Sequence, residues 1–315
     1  MKNRRKLVLI VVIGILAANI IAFLHAYTFT HFSSADVVRT QDPEELSVFA
    51  KASLLFTGID NPRPLAKEQP ANTFETVYVQ SSGMLQCWRI AQPGGHGTVI
   101  LFHGYAGEKS SLLGRAAEFR KMGYHTLLVD FYGSGGSEGN STSVGYTEAI
   151  QVKDCFDYLA NTGEQNIILF GTSMGAVAVL KAMSDDGIKP AAIVLECPFG
   201  SLYNTVCARF KLMHVPSFPM AGLLTFWGGV QHGYWAFAHN PANYARQATG
   251  PTLLLFGAQD ERVTVAETER IFANLPQPKT LKIYPEAGHN VFSPGNQSAW
   301  VHDVEAFVGK LTPSL

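Results

Sequence analysis

The stretch Ile167 to Ala178 reads IILFGTSMGAVA. It opens on an apolar run of strand length, Ile167-Ile168-Leu169-Phe170, and turns at Gly171-Thr172-Ser173-Met174-Gly175, a G-x-S-x-G match. Small and apolar residues of helical character follow from Ala176 to Met183. Strand, sharp turn and helix are the context this motif needs. A serine lifted on such a turn has a strained backbone, and side chains at the flanking positions would collide with it; glycines remove that conflict. The pattern predicts a Ser173 hydroxyl at the carboxyl edge of a parallel sheet. A helix amino terminus follows directly, where the Met174 N–H is free to bind an oxyanion. With 29 glycines in 315 residues the motif alone is weak; the strand and helix around it carry the reading.

A serine is a poor nucleophile at neutral pH and needs a base within hydrogen-bond reach. Of ten histidines, His289 stands in Tyr284-Pro285-Glu286-Ala287-Gly288-His289-Asn290, after the last apolar run. A parallel sheet places it on the same edge as Ser173. A carboxylate must then hold the imidazole in one tautomer. Asp260 follows the run Thr252–Phe256 in GAQDERV, Gly257 to Val263, and the order Ser, Asp, His suits this arrangement. Its neighbour Glu261 reads as solvent-facing, and Glu196 is a weaker candidate for the acid. A second oxyanion donor is expected from the turn after Phe102, where Gly104 lets the backbone approach and the Tyr105 N–H points inward. His103 reads as scaffold for that turn. Asp130 and the Gly/Ser-rich residues after it shape a neighbouring loop; a phosphate cradle is the alternative, but no Lys-Ser/Thr follows.

Around these motifs, apolar and alternating runs predict strands at Phe74–Val79, Leu85–Ile90, Thr98–Phe102, His125–Val129, Ile167–Phe170, Ala192–Leu195, Thr252–Phe256 and Leu281–Tyr284. Helical segments are expected over Ser110–Met122, Tyr146–Leu159, Val265–Leu275 and Ser298–Leu311. The alternation predicts an α/β fold, a mostly parallel eight-stranded sheet with helices on both faces and an antiparallel hairpin at its start. Residues 201–248 break the rhythm with Phe218, Phe226, Trp227, Tyr234, Trp235 and Phe237, and read as a small lid.

The HGYAG turn, the D-x-x-G-x-G-x-S loop from Asp130, GTSMG, GAQDERV and AGHN, in this order, resemble an α/β-hydrolase. Glu196-Cys197-Pro198-Phe199-Gly200-Ser201 resembles the branch of serine-aminopeptidase-like and membrane-associated depalmitoylase-like hydrolases, although Gly200 stands where that branch often has a polar residue. The resemblance covers about Phe74 to Val308. It implies Ser173 as nucleophile, Asp260 as acid and His289 as base, with Tyr105 and Met174 supplying oxyanion N–H groups. It implies no cofactor and no metal.

Composition bounds the partners. Hydrophobic residues make up 47% and charged residues 16%, and 24 basic against 25 acidic residues leave no excess to hold a phosphate backbone, which argues against nucleic acid. Cys87, Cys155, Cys197 and Cys207 form no C-x-x-C pair or zinc spacing; Cys197 and Cys207 could pair in an oxidising compartment. Lys2, Arg4, Arg5 and Lys6 precede the eighteen-residue apolar run Leu7–Leu24, in which Asn19 is the one strongly polar member. That length just crosses a bilayer, with the basic end held in the cytoplasm. A cleaved signal peptide, giving a secreted or periplasmic protein, is the competing reading, but Leu24 stands where a small residue is wanted for a cut after Ala26. The expected organisation is a signal-anchor over 1–32, a linker over 33–72 with a short helix from Glu44 to Phe56, and a catalytic domain over 73–315. The expected activity is a membrane-anchored serine hydrolase acting on esters or thioesters of a small or lipid-like acyl substrate. The alternatives are a peptidase and a non-catalytic binding protein on the same fold.

Overall fold

The computed structural model describes residues 2–34, 36–37, 40 and 58–311. In chain order its strands and longer helices are α1 (Lys2–Thr30), β1 (Glu75–Gln80), β2 (Met84–Ile90), β3 (Thr98–Phe102), α2 (Leu113–Lys121), β4 (His125–Val129), α3 (Glu148–Asn161), β5 (Ile167–Thr172), α4 (Met174–Asp186), β6 (Ala192–Glu196), α5 (Leu202–Leu212), α6 (Met220–His232), β7 (Thr252–Gly257), α7 (Val265–Asn274), β8 (Lys279–Tyr284) and α8 (Gln297–Val308). The chain divides into two compact units: Met1–Pro62 with Leu202–His239, and Arg63–Ser201 with Asn240–Leu315.

The larger unit holds the sheet, with strand order β1-β2-β4-β3-β5-β6-β7-β8. The β1–β2 and β2–β4 pairs are antiparallel and every other pair is parallel. Every residue of β3, β6 and β7 is buried, as continuous apolar runs covered on both faces require. Helices turn apolar stripes to this core: α3 buries Ala149, Val152, Cys155 and Leu159, a helical spacing. The chain passes from β3 to β4 on one side and then to β5 on the other, which opens a crevice at the carboxyl ends of β3 and β5, the usual place for a site in such a sheet.

Several boundaries differ from expectation for local polar reasons. The segment Ser110–Met122 opens as a 3-10 turn, Lys109–Leu112, because Glu108 caps the Ser110 N–H at 2.5 Å. The helix expected from Tyr146 begins at Glu148, whose buried carboxylate holds the preceding loop by accepting from the Ser143 and Gly145 N–H groups. Helix α7 begins as its sequence directs, with a capping box between Thr264 and Glu267.

The smaller unit holds α1, α5 and α6. Helix α1 is long and apolar enough to cross a membrane, with a mean hydropathy of 3.0 over its best eighteen residues. Beyond it the chain returns: the Ser33 N–H donates to Asn61 O at 2.9 Å and Asn61 Nδ2 to Phe29 O at 3.2 Å. The short helix expected over Glu44–Phe56 lies outside the described residues. The 201–248 segment, which reads as a small lid, contains α5 and α6, and both belong to this unit with α1. All four cysteines are free, so the Cys197–Cys207 pairing is not formed.

Candidate active site

The turn after β5 is built by close approach. Ser173 has φ +49° and ψ −113°, a strained conformation for a residue with a Cβ. A Cβ on Gly171 would stand 2.5 Å from Ala176 N, and one on Gly175 2.4 Å from Phe102 O, so neither position has room for a side chain. The Ser173 N–H donates to Glu196 O at 2.8 Å, tying the turn to β6. Met174 is the first residue of α4, so its N–H has no acceptor within the helix.

Phe102 pairs with Gly171 across β3 and β5, which carries the HGYAG turn to the same level as the serine. A Cβ on Gly104 would lie 3.4 Å from Ser173 Cβ, so Tyr105 follows a backbone that lies against the serine. His103 is fully buried in that turn's scaffold. Its Nε2 accepts from the Phe131 N–H at 3.1 Å, so Nδ1 carries the proton and donates to Gly104 O at 2.8 Å. Burial, against nearby carboxylates, lowers its pKa from the ordinary value.

His289 and Asp260 arrive on loops after β8 and β7. These loops are laced together: the Gln259 N–H donates to Ala287 O at 2.8 Å and the Ala258 N–H to Tyr284 O at 2.9 Å. His289 Nε2 lies 2.9 Å from Ser173 Oγ, and His289 Nδ1 lies 2.7 Å from Asp260 Oδ2. A carboxylate can only accept, so Nδ1 is the donor and Nε2 is left to accept from the serine hydroxyl. Asp260 has no exposed side-chain surface. Burial pushes its pKa up, but bonds from His289 and from the Arg262 and Val263 N–H groups outweigh this and hold it below the ordinary value. Such an arrangement can pass a proton from hydroxyl to imidazole while the carboxylate stabilises the cation formed.

Glu196 and Glu261 stand apart from this relay. Glu261 is exposed. Glu196 is buried and accepts from Arg115 Nε at 3.0 Å, Arg115 Nη2 at 2.7 Å and Trp300 Nε1 at 2.6 Å. Arg115 Nη2 also donates to Asn290 Oδ1 at 3.0 Å, so this buried ion pair reaches the residue beside His289. Arg115 escaped sequence reading because a helical arginine reads as solvent-facing. Its signal was its place on the buried stripe with Leu112, Ala116 and Phe119. We expect Arg115→Ala to strand the Glu196 charge at a cost of about 3–5 kcal/mol. Thermal unfolding of the full chain should then show a Tm lower by on the order of 10 °C.

One group of potential metal donors lies here among the described residues: Cys197 Sγ, Asp260 and His289, mutually within 4.8 Å. Sequence spacing hides it, since the three come from separate loops. Asp260 and His289 are spent on each other, and burial with the adjacent Asp260 carboxylate holds the Cys197 thiol well above its ordinary pKa. A thiol kept protonated is not the thiolate a metal needs, so these residues do not fit a resident ion. The Gly/Ser-rich loop after Asp130 is likewise filled from within the protein. Asp130 accepts from the Lys109 N–H at 2.7 Å and the Gly136 N–H at 2.9 Å and pairs with Lys109 Nζ, while the Arg63 guanidinium takes the carbonyls of Gly135, Ser137 and Gly139. Carbonyls turned to a guanidinium make no phosphate cradle.

Comparison with known proteins matches this frame. Residues 111–313 match the model of the prolyl oligopeptidase family, Peptidase_S9. The uncharacterized protein YqkD of Bacillus subtilis is 26% identical over 223 residues, 69% of this chain and 72% of that protein. An uncharacterized protein of Mycobacterium tuberculosis is 29% identical over 226 residues, 70% of this chain and 73% of its own. The Pyrococcus furiosus esterase Pf2001 superposes with a TM-score of 0.67 at 23% identity, covering 79% of this chain and 96% of that one, and so shares the fold. The family match spans more than half of the sequence and includes the Ser173, Asp260 and His289 segments: the chain belongs to the prolyl oligopeptidase family and has the α/β-hydrolase fold.

Proposed function

We propose that this hydrolase is a membrane-anchored serine hydrolase that cleaves carboxylic esters or thioesters through an acyl-enzyme. The observation that carries the reading is the relay Ser173 Oγ–His289 Nε2–Asp260, at 2.9 and 2.7 Å. Ser173 Oγ attacks the acyl carbonyl as His289 takes its proton; the oxyanion is met by the Met174 and Tyr105 N–H groups. His289 returns the proton to the departing alcohol or thiol, and the same imidazole then activates the water that frees the acid. No step calls for a cofactor. The catalytic domain is residues 73–315. The anchor is 1–32, with Lys2, Arg4, Arg5 and Lys6 on the cytoplasmic side and the domain beyond the membrane. Contacts of α1 with α6 support an anchor retained in the mature protein, since cleavage after Ala26 would strip α6 of the Asn19 and Phe23 partners it bonds.

Peptide hydrolysis is the second reading, favoured by the description of the matched family. A fluorophosphonate probe separates enzyme from binding protein: the intact chain should be labelled, and an unlabelled chain overturns the proposal. Competition by p-nitrophenyl esters and acyl thioesters of graded length, run beside a peptide panel, separates the two chemistries. Protection by acyl compounds with no peptide turnover is the expected result.

A further inference from the structure

Helix α6 is tied along the outer half of α1. Trp227 Nε1 donates to Asn19 Oδ1 at 3.1 Å, Gln231 Nε2 donates to Phe23 O at 2.8 Å, and the Phe23 and Trp227 rings meet edge to face at 5.4 Å. His232 stacks with His31 at 5.4 Å. The pairings advance in the same sense along both helices, from Asn19 with Trp227 to His31 with His232. The one strongly polar residue of the apolar run is therefore satisfied by a tryptophan of α6, and α1 serves as a depth gauge for α6. Asn19 lies five residues inside the end of the run at Leu24, about 7 Å along a helix axis. If the run fills the hydrocarbon layer, Trp227 sits about 7 Å below its edge, and the residues of α6 before Trp227 lie deeper beside α1.

The rest of α6 suits that depth. From Leu212 to His239, twenty-eight residues, there is no Asp, Glu, Lys or Arg, although such residues are 16% of the chain. Its buried face is the small series Ala221, Thr225 and Gly229. The outward face carries Phe226 and Val230 at helical spacing, with Phe218 and Trp235 flanking; these four are 38, 51, 86 and 61% exposed respectively. Phe226 packs edge-on with Trp227 at 5.1 Å and with Trp235 at 6.3 Å, a cluster of the ring types favoured where water meets lipid. Aromatic and aliphatic groups left outward on an uncharged helix beside an apolar span need an apolar cover.

We propose that α6 and its flanks, with Phe218, Phe226, Val230 and Trp235 outward, form a second membrane-contacting element. It enters the phospholipid bilayer from the carboxyl end of α1 and runs beside α1 without crossing to the other side. This rests on the reading of α1 as a membrane span, and the test separates the two. In a Cys207→Ser background, single nitroxides are placed through Phe218→Cys, Phe226→Cys or Val230→Cys, with Ile13→Cys in the span and Glu286→Cys on an exposed loop as references. The full chain is reconstituted in phosphatidylcholine–phosphatidylglycerol vesicles and relaxed with molecular oxygen or a nickel chelate. The oxygen-to-nickel ratio at 218, 226 and 230 should be severalfold above that at 286 and on the side of 13. Nickel-dominated values at 226 and 230 with an oxygen-dominated 13 overturn the α6 proposal and leave the span standing; a nickel-dominated 13 overturns the span and the proposal with it. A label-free measurement guards against misfolded variants. Lipid brominated high in the acyl chain should quench tryptophan emission of the wild-type chain and fail to quench Trp227→Phe/Trp235→Phe, since Trp88 and Trp300 are buried. Equal emission of the wild-type chain in brominated and plain lipid overturns it.

Discussion

If Ser173 is the nucleophile proposed, replacing it by alanine should lower kcat on an activated acyl ester by about 10⁴- to 10⁶-fold and abolish fluorophosphonate labelling, with KM little changed. The size follows from what is lost: the hydroxyl bonded to His289 Nε2, on which the proposed acyl-enzyme forms, is gone, and the remaining N–H groups would stabilise an oxyanion formed only by direct attack of water. His289→Ala falls into the same range, because without Nε2 the hydroxyl has no acceptor for its proton. The double variant should be no worse than either single one, as residues acting on one proton give non-additive losses. Stability moves the other way for Ser173→Gly. At φ +49° a residue with a Cβ is strained, and glycine relieves it, so this inactive variant should be more stable by on the order of 1 kcal/mol. Retention of more than a hundredth of the wild-type rate by Ser173→Ala in a folded chain would remove Ser173 from the chemistry.

The sheet was legible because each strand is an apolar run interrupted by turn residues, and burial on both faces makes such runs conspicuous, as in TVILF of β3 and AIVLE of β6. The serine turn was legible because its steric demand is written in two glycines, each of which packs against backbone. The links between distant segments were not legible in the same way. Ser173 and His289 are 116 residues apart, and only the shared edge of a parallel sheet brings them together. Cys197 beside Asp260, and Arg115 beside Asn290, follow no sequence rule at all. They are set by how three loops interlock, and the identities of an internal cysteine and a helical arginine point elsewhere. No helix was legible within the segment that reads as a small lid, because Gly222, Gly228 and Gly229 weaken the helical signal of α6. Its helicity comes with its packing on α1, a partner about two hundred residues earlier.

Asp260→Asn should lower kcat/KM by about 10⁴-fold while leaving the fold intact, and the reason is a forced choice of tautomer. Asp260 Oδ1 accepts from the Arg262 N–H at 2.8 Å and the Val263 N–H at 3.0 Å, while Oδ2 faces His289 Nδ1 at 2.7 Å. An asparagine here must keep its carbonyl oxygen toward the two backbone donors, since turning the amide around would set N–H against N–H in a buried place. Its NH₂ then points at Nδ1, which becomes the acceptor, and the imidazole proton moves to Nε2. A protonated Nε2 beside Ser173 Oγ cannot take the hydroxyl proton, so the base is lost with every heavy atom in position. Nitrogen-resolved NMR of the His289 ring should show the proton shifted from Nδ1 to Nε2 in the variant, with Tm close to that of the wild type. Glu196 gives no rescue, because Arg115 and Trp300 already occupy both of its oxygens. A loss smaller than tenfold, with the ring proton still on Nδ1, would mean that Asp260 does not orient the histidine and that the relay begins and ends with Ser173 and His289.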